Sequence, residues 1–435
     1  MIDRLKAALR GDGRIDDWKL VETVKSGVEW YLSGQALDTT RSVETKLYSL
    51  VVYVDGVDAA GGKTRGAYAT TLPPTSSKAE LTATIERSVR AAGGMRNPWY
   101  SLPEASSVAE AQPRSGFDGK SLSESMSGLR SALYEPEAAN GAKINSLELF
   151  LSRKATRIVN SRGVDVAWSS YFGYAEFIVN ASAAGREEIE LFGDIEFSEP
   201  DYGRLSQAVA LRLRQAADRL DAVPTPAVEG MPVLFREELA ARLYGYWFAQ
   251  AQAQAAYEKT AAFSLGDSIG ASGDGDLVEL TAVPYIKGNP HSAPYDVDGQ
   301  ALVPLPCITG GTLKALSGPV KYTRYLGLAD SGELPLFELA SGTAAAAGLE
   351  AGSYLEAAAF SDFFVDGTTG DFGGELRLGY LVKDGKRQAV RGGSITGSMV
   401  DNRGRVKFSR ELETFSNCRG PAVCLVPLAF VSQAE

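Results

Sequence analysis

The chain is short of the residues on which most metal-dependent and nucleophilic chemistry depends. Its 435 residues include one histidine, His291, and three cysteines, Cys307, Cys418 and Cys424. One imidazole cannot supply a histidine pair for zinc. A Ser-His-Asp site would have to use His291, and no nucleophile-elbow pattern accompanies it. Three scattered cysteines do not make a disulfide framework. No apolar run approaches the ~20 residues of a membrane-spanning helix, and the Ala-rich stretch Thr343–Phe360 is interrupted by Glu350 and Glu356. The opening MIDRLKAALRGDGRIDD has neither an apolar core nor a small-residue cleavage site, so no signal peptide is expected. Acidic residues outnumber basic ones, 54 to 44, for a formal net charge of −10. That argues against nucleic acid or anionic membrane as a partner. No Gly-rich phosphate loop ending in Lys-Ser/Thr precedes a helix. A cytoplasmic protein is expected.

What is present fits two domains with proper cores. A joint rich in proline (Pro224, Pro226, Pro232) suggests domains 1–223 and 224–435. The second opens with PVLFREELAARLYGYWFAQAQAQAAY, Pro232–Tyr257. Val233–Phe235 is strand-like. Glu237 and Glu238 suit the positive end of a helix dipole. Leu239, Leu243 and Trp247 then form one stripe, with Ala240, Tyr244, Phe248 and Ala251 beside it. A helix apolar over so much of its girth, spanning 236–257, is expected to be buried.

Before the joint, Asp16–Ser33 reads as an amphipathic helix, with Val21, Val24, Val28 and Tyr31 three and four apart. Val43–Asp55 and Thr64–Leu72 read as strands. Ser77–Glu80 is a capping box for a helix that stops at Gly93-Gly94. The segment Asn97–Gly119 reads as a surface excursion, and Leu122–Leu133 as a helix. Strands are expected from Ile144, over Val164–Tyr171, Tyr174–Asn180 and Glu188–Phe192, then a helix over Leu205–Leu220. After the central helix, Leu277–Val283, a hairpin over Ala301–Leu316 and Gly-punctuated strands from Ser353 to Val431 make a mainly β half. Helices and strands mix without strict alternation, so the fold class is α+β.

Several of these pieces resemble the TldD/PmbA family, known as modulators of DNA gyrase. RIVNSRGVDV (Arg157–Val166) is similar to its Asn-Ser-x-Gly turn. YDVDGQALVPLPCITGGTLKAL (Tyr295–Leu316), followed by KYTRYLGL (Lys321–Leu328), is similar to its Asp-Gly turn, paired strands and Tyr-x-x-Arg-x-x-Gly segment. TTGDFGGELRLGYLVKDGKRQAVRGGSITGS (Thr368–Ser398) resembles its Thr-Gly-Asp stretch and Gly-Tyr hairpin, and YVDGVDAAGGKTRGAYATTL (Tyr53–Leu72) falls in the expected order. Order and spacing over Val43–Val431 carry the resemblance. It implies two α+β domains, the second a curved, mainly antiparallel β assembly. It also implies metallopeptidase complexes acting on small or unfolded peptides. One subunit type carries HExxxH on the helix that opens the second domain, with a distant Cys as a further ligand. The PmbA-like (TldE) type lacks those ligands and pairs with the first. The gyrase label is historical, and nothing in this sequence supports DNA binding.

In HExxxH two histidines on one helix share Zn²⁺ while the glutamate polarises the attacking water. Here the matching window is Gly245-Tyr246-Trp247-Phe248-Ala249-Gln250, with neither imidazole nor carboxylate. A zinc-less, non-catalytic member is the leading expectation. It would bind peptide, as a homodimer or beside an HExxxH-bearing homologue, with no cofactor. The competing expectation is a metal-dependent hydrolase that uses Cys418 and His291 as ligands, and zinc belongs to that reading alone. Cys418 and Cys424 could equally be buried structural thiols. Tyr244, Tyr246, Trp247 and Gln250, with Asp362 and Asp366, could line a peptide cleft, or the aromatics could be core. Asp362, Asp366 and Asp371 could bind a hard cation, or cap Gly-rich turns.

Overall fold

The computed structural model describes residues 1–107, 114–137, 141–228, 230–270 and 273–434. A short helix, α1 (Ile2–Arg10), leads into a seven-stranded antiparallel sheet. Its strands are β1 (Asp17–Ser33), β2 (Ala36–Val57), β3 (Lys63–Leu72), β4 (Asn97–Pro98), β5 (Lys143–Asn160), β6 (Asp165–Ala181) and β7 (Ile189–Phe197). Their spatial order is β4-β3-β2-β1-β5-β6-β7. Helix α2 (Lys78–Gly93) starts at the expected capping box, where Ser77 Oγ accepts from Glu80 N and the Glu80 carboxylate accepts from Ser77 N. Helix α3 (Leu122–Tyr134) buries Met126, Leu129 and Leu133, and α4 (Tyr202–Leu220) buries Leu205, Val209 and Leu213.

Asp16–Ser33 was expected to be helical and is instead the central strand β1, paired with β2 on one side and β5 on the other. Its three-and-four spacing competes with a period-2 pattern of Trp18, Leu20, Val28, Trp30 and Leu32, which face the helices. Trp18 and Leu20 pack with α1 and α2, while Val28 and Leu32 pack with α3 and α4. β-Branched and aromatic residues favour the extended form once two partner strands are available. The two strands expected over Val164–Tyr171 and Tyr174–Asn180 are one strand, β6. Gly173 does not break it: a Cβ there would lie 2.1 Å from the Phe197 ring, so the glycine makes room for a neighbour on β7. The excursion Asn97–Gly119 is anchored, with Tyr100, Leu102 and Phe117 buried. Its residues 108–113 lie outside the described residues.

The second half runs through β8 (Val223–Pro224), β9 (Val233–Arg236), α5 (Glu237–Gln250), α6 (Ala253–Glu258), β10 (Leu280–Val283), β11 (Leu305–Thr309) and β12 (Thr312–Leu313). It continues with α7 (Val320–Tyr325), β13 (Leu336–Leu339), α8 (Ala346–Leu349), β14 (Tyr354–Val365), β15 (Asp371–Lys383) and β16 (Lys386–Arg391). The last strands are β17 (Ser394–Ser398), β18 (Lys407–Phe408), β19 (Leu412–Thr414), β20 (Cys418–Pro421), β21 (Val423–Val426) and β22 (Ala429–Val431). One sheet has the order β18-β21-β9-β14-β15-β16-β8, with β17 on β15 and β22 on β17. The other has the order β12-β11-β10-β13-β20-β19. Most pairings are antiparallel; β9–β14, β8–β16 and β13–β20 are parallel.

Helix α5 touches strands of both sheets. Its Ala240, Leu243, Tyr244 and Trp247 share one core with Phe235, Phe337, Phe372, Phe408 and Phe415. The single helix expected over 236–257 is two. Wholly buried Ser317 donates its N–H to Ala251 O at 2.9 Å and accepts from Ala253 N at 2.8 Å. This extended segment takes the backbone groups that would have continued the helix.

The two halves pack closely. Tyr295 sits with Ile158, Val164 and Val166, and Val320 packs with Tyr53 and Tyr100. At the end of α4, Tyr380 Oη donates to Asp218 at 2.7 Å. Among the described residues, no helix is long and apolar enough to cross a membrane.

Candidate functional site

The start of α5 meets the first sheet at a contact crowded with charge. Glu238 accepts from Ser416 N at 2.9 Å and Ser416 Oγ at 2.6 Å. Ser416 O and Phe415 O in turn accept from Asn289 Nδ2 at 3.0 and 3.1 Å. Asn289 Oδ1 accepts from His291 N at 3.0 Å. The His291 Nε2 lies 2.7 Å from Glu196 Oε2 on β7, and its ring meets Phe172 edge-on. Asp194 shares this face of β7, and Arg204 and Arg212 approach from α4.

Burial perturbs most of these groups. It raises the Asp194 carboxyl, helped by Glu196 and opposed by Arg212 and Arg242. It raises Glu238, with the Ser416 hydrogen bonds pulling the other way. Glu237 is raised by burial and opposed chiefly by Arg212. Burial lowers both Arg204 and Arg212. A cluster of perturbed groups in a cleft is a physically motivated functional-site candidate. Glu237 adds backbone strain: its φ is 54°, in the left-handed region that non-glycine residues seldom occupy.

Beside Glu237 lies a cavity of about 440 Å³ between the halves, lined by Arg214 and Asp218 of α4 and by Arg236, Glu356, Tyr380 and Arg387. The Arg387 guanidinium stacks 3.3 Å from the Tyr380 ring centroid and lies 3.5 Å from Glu356. A larger hollow of about 530 Å³ is walled mainly by Phe364, Phe372, Leu428 and Phe430. It holds two carboxylates, Asp371 and Asp401, and no basic side chain. The smaller, mixed-charge cavity continuous with the strained Glu237 is therefore the better candidate.

The residues anticipated for a cleft are mostly elsewhere. Tyr244 is fully buried, its hydroxyl donating to Pro421 O at 2.9 Å, and Trp247 stacks on it against Phe408. Tyr246 is 2% exposed, and burial pushes its hydroxyl up to about 12. Gln250 is 1% exposed; it donates to Gly367 O at 2.6 Å and accepts from Ala262 N at 2.7 Å. These four side chains belong to the core rather than to a cleft wall, because strands of both sheets pack against α5. Tyr246 and Gln250 do reach the acidic loop after β14: a Cβ on Gly370 would lie 3.0 Å from the Tyr246 ring. In that loop Asp366 accepts from Thr368 N and Thr369 N, bonds that hold its carboxyl below its ordinary value. Asp371 accepts from Thr369 Oγ1, and Asp362 is exposed on β14. The loop carboxylates thus serve as turn caps.

A zinc site on α5 does not fit the residues present. Gly245 offers no side chain, Tyr246 and Gln250 are packed or hydrogen-bonded, and His291 is held by Glu196. Burial pushes the Cys418 and Cys424 thiols well up, away from the thiolate that binds metal. Among the described residues, no three His, Cys, Asp or Glu side chains come together as a possible metal site.

Asp194, Glu196, Arg204 and Arg212 were not anticipated. A signal was present on β7: Leu191, Ile195 and Phe197 are buried, while Glu190, Asp194 and Glu196 alternate with them on the other face.

An α+β chain, with a buried helix whose charged first turn faces the contact between its two halves, defines the class. Solved structures share this fold over the whole length. A candidate modulator of DNA gyrase from Thermotoga maritima aligns with a TM-score of 0.80 at 16% identity, covering 99% of each chain. TldE from Thermococcus kodakarensis aligns at 0.77 and 14% identity, covering 99% of this chain and 100% of its own. A candidate gyrase modulator from Bacteroides thetaiotaomicron aligns at 0.79 and 14%, covering 99% and 98%. No curated protein matches the sequence. Residues 229–431 match the family model of the PmbA/TldA metallopeptidase C-terminal domain.

Proposed function

We propose that this chain is a zinc-less, non-catalytic member of its metallopeptidase family, which binds extended peptide at the interdomain cleft. It acts as a homodimer or beside an HExxxH-bearing homologue that performs the hydrolysis. The observation that carries the reading is the packing of α5: where zinc-bearing relatives place ligands, Gly245, Tyr246 and Gln250 serve the core. Strand β7 supports the peptide-binding part. It is the terminal strand of its sheet and its Glu196 meets His291 of the second half, and a sheet edge can take an added strand. Three unpaired cysteines, all buried, suit a reducing compartment such as the cytoplasm.

Affinity purification of the tagged full chain from its native host tests the assembly. The expected outcome is a homodimer or an equimolar complex with the HExxxH-bearing homologue, with peptide cleavage only in the complex. Metal-dependent peptide cleavage by the isolated chain, abolished by Cys418→Ser, would instead establish the hydrolase reading.

A further inference from the structure

The cavity beside Glu237 has a composition that selects its ligand. Its walls carry Arg214, Arg236 and Arg387 against Asp218, Glu237 and Glu356, so the two signs balance. Most of these charges are already satisfied. Arg387 lies 3.5 Å from Glu356 and over the Tyr380 ring; Asp218 accepts from Tyr380; Arg236 pairs with Glu350. Two groups stand apart. Among the described residues, neither Glu237 nor Arg214 makes a side-chain hydrogen bond or ion pair. Glu237 is on α5 and Arg214 on α4, so the unpaired carboxylate and the unpaired guanidinium come from opposite domains.

We propose that this interdomain cavity binds a small zwitterion, a dipeptide or a free amino acid, with its ammonium group at Glu237 and its carboxylate at Arg214. A lone anion would answer Arg214 and leave Glu237 unpaired, and a polyamine would answer Glu237 and leave Arg214 unpaired. A ligand bearing both charges answers both unpaired groups at once, and about 440 Å³ is within the usual size of a small-molecule site. Arg214 supplies a planar fork for a carboxylate. The elevated carboxyl of Glu237 is what a buried acid awaiting a cation would show. Because the two groups lie on different domains, the ligand bridges the halves and stabilises their contact.

The inference builds on the reading of the chain as a peptide-binding family member, but the two fail separately: zinc content and partnership bear on that reading and leave dipeptide binding untouched. Calorimetric titration of the full chain with alanylalanine is the test. The comparison ligands are its N-acetylated and C-amidated forms, inorganic phosphate and putrescine. The expected result is saturable binding of alanylalanine alone, weakened about tenfold or more by blocking either end. Glu237→Gln should abolish the preference for a free amino terminus, and Arg214→Gln the preference for a free carboxylate. Circular dichroism confirms that both variants are folded. Equal binding of the blocked forms, binding of phosphate or putrescine instead, or no saturable binding of the dipeptide would overturn the assignment.

Discussion

The two ends of α5 differ in kind. Its first turn is charged, strained and half open, with Glu237 in a left-handed conformation and Glu238 tied to Ser416. Its last two turns are closed, with Tyr244, Tyr246, Trp247 and Gln250 all buried. Perturbed charge and strain concentrate at functional positions, while aromatic packing concentrates where stability is made. One helix thus carries perturbed charge and strain at its start and core packing in its second half. In HExxxH-bearing relatives the resemblance places the chemistry in that second half.

Substitutions at the two ends should separate these roles. Trp247→Ala should have the largest effect, destabilising by about 3–5 kcal/mol because it empties a site stacked between Tyr244 and Phe408. Chemical denaturation measures it, and a loss under 1 kcal/mol would mean that this end is not core. Gln250→Ala should cost about 1–3 kcal/mol, because Gly367 O and Ala262 N lose their partner. The same variant should loosen the 366–371 loop, seen as faster amide exchange there.

Glu237→Gln should have the smallest effect on stability, with a sign that depends on pH. Burial raises this carboxyl above its unfolded value, so the native state holds the proton longer. Its contribution to stability is full below the ordinary carboxylate range and is lost as pH rises through the raised value. The variant should therefore be more stable than the parent near neutral pH, by less than about 1 kcal/mol, and should lose that advantage as the solution is acidified. Asp17 provides the opposite case. Burial works to raise it, but bonds from Arg162, Ser161 and Arg65 hold it below its usual value. Its contribution is present above the ordinary carboxylate range and disappears as pH falls through the depressed value. Asp17→Asn should accordingly destabilise most at neutral pH, and a pH series of melting curves for the two variants should slope in opposite directions.

Local chemistry was legible in the sequence. The capping box at Ser77, the strand β9 leading into α5, and the two acids at the head of α5 all appear where residue type and spacing put them. Long-range pairing was less legible. Strand β1 carries residues at helical spacing, and only its two partner strands decide for the extended form. The interruption at Ala251 depends on Ser317, far away in the chain. In the window 245–250 the packing was legible, because the burial of Tyr246 and Trp247 follows from the aromatic run itself. The charged cluster was hidden because Asp194, Arg212, Glu237 and His291 come from four separate segments: α4 packs on β7, and the contact between the halves brings the other two to them.

If α5 packs where the resemblance places metal ligands, the chain should not retain zinc. The most direct test is the zinc content of the full chain, purified from zinc-replete cells without chelators and dialysed before elemental analysis. Zinc far below one equivalent per chain is the expected result. About one equivalent of zinc per chain, retained through dialysis, would contradict it.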